Sequence, residues 1–355
     1  MNHRGLQRRW GMAVVPLLLT TMISSAAEDP VRGAGATFPA PVYSAWAAEY
    51  RRVSGSEVQY EVVGSGAGIA RARERTADFG ATDYPLPAED LEREGLMQFP
   101  TIVGGVVPVV NISGIEPESF KLSGRILADI YLGKITRWDD PAIVKLNPAL
   151  KMPRQNITVV HRSDVSGTTY LWSVYLSAAH PGWRLKYGSQ PALQWPTGVG
   201  GVGNEGVAST VQRTRASLGY VEYAYAKRHH LSCVAVDDSQ GEFLLPSRRS
   251  FELGLQSARW NKSDGRLDFP GTTHGGQWPI TGASYILISA RSGSTNRLHA
   301  VLEFFNWAWA HGARLAESLD YASLPAEMIA DVQDSWTDGL LDSSGEAIWR
   351  RQPAP

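Results

Sequence analysis

Apolar residues recur along this chain with two periods, one helical and one alternating. Val42, Trp46, Tyr50 and Val53 share one helical face after Pro39 and Pro41, so the spacing predicts a helix there. Val58, Tyr60 and Val62 alternate as a strand that ends in Gly64-Ser65-Gly66-Ala67-Gly68, ahead of a helical stretch rich in Ala and Arg. The segment Asp78 to Pro85 predicts a short strand delivering Asp83, stopped by Pro85 and Pro87. Phe99 to Asn111 is rich in β-branched residues and predicts a buried strand, with Gly104-Gly105 marking a crossing between domains.

Farther on, Leu122 to Leu132 predicts a short amphipathic helix, Ile157 to Val160 a buried strand, and Tyr170 to Ala179 a helix with Leu171, Val174, Tyr175 and Ala178 in register. Trp195 to Gly206 is glycine-dense without the Gly-Lys-Ser/Thr ending of a nucleotide loop, so it reads as a flexible loop running into a helix from Val207. Leu218 to Tyr223 reads as a strand or turn rich in aromatics, and His229-His230 as a solvated surface pair. Asp237 to Gln277 is polar and irregular apart from a helical stretch near Phe251 to Trp260. Tyr285 to Ile288 predicts a buried strand and a second crossing, and Leu298 to Leu315 one long amphipathic helix.

Strands alternating with helices over 355 residues indicate an α/β protein of two domains or one large one. Lys and Arg number 34 against 35 Asp and Glu, which leaves no electrostatic footprint for nucleic acid or for a membrane surface. Any anion must then be held locally. Arg4, Arg8 and Arg9 precede the apolar stretch Met12 to Ile23 and the small residues Ser24-Ser25-Ala26-Ala27, the pattern of a secretory signal peptide over residues 1–27. The apolar part is too short for a stable membrane span. Cys233 is the only cysteine, so the exported protein is expected to rely on its core rather than on disulfides. Twelve tryptophans sit mostly at helical core spacing, which favours packing over sugar stacking.

Three strand-to-helix junctions carry small polar residues: Thr37-Phe38, Ser65, and Ser166-Gly167-Thr168. Each has an ordinary reading as well. Thr37-Phe38 reads alone as a helix cap and staple, Gly64-Ser65-Gly66 as a tight turn, and Asp83 as a turn-former. Unpaired N–H groups and a positive dipole end at a helix start nevertheless suit an oxyanion, and ligands of open α/β sheets gather at the carboxyl ends of strands. Arg162 would supply a forked cation, with Asp164 two residues on as its partner. Asp83 would be repulsive toward an anion unless that anion brings a proton to share, which phosphate does and sulfate does not.

Several stretches resemble a known family. They are Gly33 to Pro41, Asp78 to Asp83, Gln98 to Val107, Ile130 to Ile135, Arg162 to Thr168, Gly219 to Ala226 and Leu319 to Pro325. Together they are similar to the periplasmic phosphate-binding proteins of high-affinity phosphate ABC transporters, the PstS-like family. The resemblance implies a two-lobed periplasmic binding protein of type II, each lobe a mixed sheet flanked by helices, joined by two hinge strands. Lobe I would comprise 28–104 and 280–355, and lobe II 105–279. It implies capture of inorganic phosphate by Thr37, Phe38, Ser65, Asp83, Arg162, Ser166, Gly167 and Thr168, with Asp164 holding Arg162. It also implies delivery to the permease and ATPase subunits of an importer, without catalysis, metal or cofactor, by a monomer in the periplasm. Gly66-Ala67 and Val165 depart from the family pattern, which often has Ser-Gly and a glycine there. The alternatives are a secreted phosphatase using Ser65 or Ser166 as nucleophile, and a sulfate, molybdate or sugar binder on the same fold. A phosphatase needs a base or metal ligands that the sequence does not place near either serine.

Overall fold

A computed structural model describes residues 29–115, 119–270, 275–290 and 295–350. The predicted signal segment, residues 1–27, lies outside the described residues. A mixed sheet runs through the molecule in the order Val58–Val62, Val31–Gly35, Phe79–Thr82, Thr281–Ser289, Leu96–Asn111, Ser217–Glu222, Thr158–Arg162 and Val199–Gly201. Ser232–Cys233 adds to the long strand off this path. The α/β expectation is met, as is that of two halves, each a mixed sheet flanked by helices.

The 16-residue strand Leu96–Asn111 organises both halves of the sheet. Its first part, through Gly105, pairs antiparallel with Thr281–Ser289; from Val106 it pairs antiparallel with Ser217–Glu222. The change of partner falls beside Gly104-Gly105. The next residues also tie the two halves together, since Val106 N–H donates to Ile280 O and Trp278 Nε1 donates to Val106 O. The strand is buried almost throughout, which is why its sequence is a near-continuous β-branched run rather than an alternating one.

Within each half the flanking strands are parallel. Val31–Gly35 lies between Val58–Val62 and Phe79–Thr82, and Thr158–Arg162 between Ser217–Glu222 and Val199–Gly201. Thr37, Ser65, Asp83, Asp164 and Gly203 each lie within three residues of the end of one of these strands, and Glu222 is itself the last residue of its strand. The topology alone therefore gathers the polar junctions.

The helices follow the predicted faces, with five differences. In Gly167–Ala179, Val174 and Ala178 of the predicted face are exposed, and Trp172 and Leu176 are buried beside Tyr175 instead. Val53 is exposed although Val42, Trp46 and Tyr50 are buried, because it lies in the last turn of Ala40–Ser54. The predicted helix Leu298 to Leu315 is two helices, Thr295–His311 and Ala313–Ser318. Gly312 separates them: its carbonyl accepts from Trp46 Nε1 at 2.9 Å, and a Cβ there would stand 2.4 Å from that nitrogen. The glycine-dense stretch is more ordered than a flexible loop, being the strand Val199–Gly201 followed by a helix that begins at Gly203, four residues before Val207. The irregular region holds a helix, Arg248–Ser257, and a hairpin, Arg259–Asn261 with Arg266–Asp268. Trp46, Trp138, Trp172, Trp183, Trp278 and Trp336 are fully buried, as core packing requires.

Candidate functional site

Thr37 follows the strand Val31–Gly35 but does not cap the helix after it. Pro39 occupies that position without a side-chain cap. The Thr37 hydroxyl instead accepts from Arg162 Nη1 at 3.3 Å, from Asn204 Nδ2 at 2.7 Å and from Asn204 N–H at 3.2 Å, all from the other half of the molecule. Its carbonyl accepts from Tyr225 Oη at 2.7 Å, and the carbonyl of Phe38 accepts from Tyr321 Oη at 2.7 Å. Aromatic hydroxyls thus fix this junction from behind.

Ser65 opens the helix Ser65–Glu74. Its Oγ accepts from Gly167 N–H across the cleft at 3.1 Å and from Asp83 N–H at 3.4 Å, and it makes a weak 3.5 Å contact to Asp83 Oδ2. Gly64, with φ of 91°, approaches Asp164 so closely that a Cβ would stand 2.6 Å from Oδ2. The left-handed conformation and the close approach both demand glycine. Gly66 N–H donates to Val165 O at 3.1 Å, so the two positions that depart from the family pattern meet each other across the cleft.

Asp83 directly follows the strand Phe79–Thr82 and is almost wholly enclosed. Ser284 donates to its Oδ1. Burial pushes the carboxyl up to about 7, against the pull of Ser284, Arg162 and Ser65 toward the ionised form. Gly167 packs directly on it, since a Cβ on Gly167 would lie 2.5 Å from Asp83 Cβ.

Arg162 is the last residue of its strand and is buried. Nε reaches Asp164 Oδ1 at 2.8 Å and Nη2 reaches Oδ2 at 2.5 Å, a two-point fork that a lysine could not make. Nη1 is left for Thr37 and for Thr168 Oγ1 at 3.2 Å. Partial burial acts to raise the Asp164 pKa, but the Arg162 fork and the Gly203 N–H at 3.1 Å outweigh it and hold it below the usual carboxylate range. The pair keeps the guanidinium in place and offsets its charge.

Ser166 caps the helix Gly167–Ala179 by accepting from Thr169 N–H at 3.1 Å, while Gly167 N–H and Thr168 Oγ1 face the cleft partners just described. Thr37, Ser65, Asp83, Arg162, Gly167 and Thr168, with Asp164, meet through the contacts just described, and Phe38 and Ser166 adjoin them in the chain. Two members were absent from the sequence reading. Asn204 is completely buried between Thr37 and Thr168, and Ser284 sits inside an apolar strand. Asn204 lies among glycines, where composition suggested mobility; only the start of a helix at that point would have marked it.

The arrangement is rich in N–H and O–H donors and contains a buried carboxylate at its centre. His161, beside Arg162, turns away and stacks on Trp195 at 4.9 Å. A two-sided shell of this kind suits a small ligand held between domains, which is the working principle of a binding protein. Residues 20–305 match the PBP superfamily domain. The chain is 42% identical over 338 residues to the phosphate-binding protein PstS of Pasteurella multocida, covering 95% of this chain and 98% of that protein. It is 43% identical over 316 residues to the phosphate-binding protein PstS of Haemophilus influenzae, covering 89% and 95%. The chain belongs to the PstS family of phosphate-binding proteins. In fold it is similar to a phosphate-bound high-affinity periplasmic phosphate-binding protein, PfluDING, with a TM-score of 0.71 at 20% identity over 92% of this chain and 100% of that one.

Proposed function

We propose that this protein captures inorganic phosphate between its lobes and delivers it to the permease and ATPase subunits of an ABC importer. Asp83 is the observation that carries the reading. A buried carboxyl surrounded by donors repels a fully deprotonated anion but can share a proton with phosphate. The names of the relatives support the same ligand. In this reading Thr37, Phe38, Ser65, Asp83, Arg162, Ser166, Gly167 and Thr168 contact the phosphate, and Asp164 holds Arg162 by its fork.

The lobes are 28–104 with 280–355, and 105–279. The partner change on the long strand beside Gly105 supports that division. Residues 1–27 act as a signal peptide removed on export to the periplasm, where the protein works as a monomer without cofactor or metal. Binding without turnover is favoured by the state of the two serines. Ser166 Oγ is engaged as a helix cap, and Ser65 Oγ accepts from two backbone N–H groups, so neither is presented as an activated nucleophile.

Calorimetric titration with phosphate and sulfate, together with a phosphomonoester assay, tests this function. Saturable binding of phosphate alone is expected. Phosphomonoester turnover contradicts the non-enzymatic reading, and equal binding of sulfate contradicts the role of Asp83.

A further inference from the structure

Arg162 Nη1, Asn204 N–H and Asn204 Nδ2 all point at Thr37 Oγ1, at 3.3, 3.2 and 2.7 Å. Thr168 Oγ1 accepts from Arg162 Nη1 and from Asn204 Nδ2, each at 3.2 Å. A hydroxyl has two lone pairs and one proton. With its lone pairs engaged by N–H donors, each threonine has only its proton left to offer. Among the described residues, neither hydroxyl donates to a protein acceptor in any hydrogen bond found.

The orientation of the Asn204 amide is fixed independently of the threonines. Its Oδ1 accepts from Glu222 N–H at 2.9 Å. A backbone N–H can only donate, so Oδ1 must face Glu222 and Nδ2 must face the threonines. Asn204 and the end of Ser217–Glu222 are both buried.

We propose that Asn204 is a positioning residue that turns the Thr37 and Thr168 hydroxyls into donors aimed at the bound anion. The inference rests on the phosphate-binding reading and deepens it. One buried amide, anchored on a backbone N–H, sets the polarity of two hydroxyls contributed by opposite lobes. Arg162 Nη1 contributes to the same end, but its charge would attract any anion. The neutral amide adds direction without charge. Asp83 then stands as the acceptor facing a set of oriented donors, and the contrast between those two sides is what a partly protonated oxyanion matches.

A thermodynamic cycle in phosphate affinity tests this. Asn204→Ala is made in the wild-type protein and in a Thr37→Val/Thr168→Val background, where valine keeps the shape and removes the hydroxyls. Loss of oriented donors to a charged ligand should weaken binding in the wild-type background by about ten- to a hundredfold. In the double-valine background the same change should cost less than about threefold. Asn204→Asp supplies a second variant: its carboxylate would accept the threonine protons, so it should bind phosphate more weakly than Asn204→Ala. Melting of each ligand-free variant is read alongside. An equal affinity loss in both backgrounds, with wild-type binding intact, overturns this inference alone, as does wild-type affinity in Asn204→Asp. A wild-type protein that takes up no phosphate contradicts the functional reading and the inference with it.

Discussion

Gly167 lies against Asp83 from the opposite lobe, with room for a hydrogen and not for a methyl group: a Cβ would stand 2.5 Å from Asp83 Cβ and 2.7 Å from its Cα. The same glycine donates its N–H to Ser65 Oγ at 3.1 Å. The two halves therefore approach each other here as closely as a hydrogen in place of a side chain allows.

Gly167→Ala should hinder closure without harming either lobe. Gly167 is in a helix with no positive φ, so alanine suits its backbone and the clash exists only across the cleft. Overpacking of this kind costs about 1–3 kcal/mol, which predicts phosphate binding weakened by roughly five- to a hundredfold. Calorimetry measures the loss, and small-angle scattering with saturating phosphate should give a larger radius for the variant than for wild type. Unchanged affinity would mean that the two residues do not meet in the bound state.

The phosphate-over-sulfate preference should depend on pH. With the Asp83 carboxyl pushed up to about 7 by burial, it is ionised above that pH and can only accept; below it, the protonated form can donate to sulfate. The preference should accordingly narrow as pH falls from 8.5 to 5.5. Asp83→Asn, which donates at every pH, should show a small preference across the whole range. Competition titrations at three pH values measure both.

Stability of the ligand-free protein should carry the same signature. The folded carboxyl at about 7 holds a proton that an unfolded Asp, near 3.9, has released, so the native state binds more protons through this window. Its contribution is present at low pH and is lost as pH rises through 7. Glu222, pushed up to about 8 by burial, acts in the same direction. Thermal melting from pH 5 to 8.5 should show wild type falling more steeply than Asp83→Asn; parallel curves would contradict the assignment.

Arg162→Lys should behave as a loss and not as a conservative exchange. Lysine cannot keep the bonds to both Asp164 oxygens while also reaching Thr37 and Thr168, and Asp164 would be left partly buried with fewer donors. Phosphate affinity should drop by about tenfold or more, by analogy with the loss of charge-assisted hydrogen bonds. Calorimetry checks it, and affinity equal to wild type would show that charge alone suffices.

How far the sequence discloses this site depends on the reach of each contact. Ser166-Gly167-Thr168 and Gly64-Ser65 were legible because a strand, a short polar turn and a helix start are neighbours in the chain. Arg162 and Asp164 were legible as a pair for the same reason. Thr37 was ambiguous between cap and site, and its partner Asn204 lies 167 residues away, a distance over which local pattern carries no information. Ser284, 201 residues from Asp83, reads locally as one polar position in an apolar strand. The break at Gly312 was missed because its cause is Trp46, which reaches it from a helix far earlier in the chain.

In the proposed function a buried carboxyl at Asp83 selects a proton-carrying anion. Paired calorimetric titrations of wild type and Asp83→Asn with phosphate and with sulfate at pH 8 test it most directly. Wild type should bind phosphate without binding sulfate, and the variant should bind sulfate measurably. Sulfate refused equally by both proteins, or bound equally by both, would contradict it.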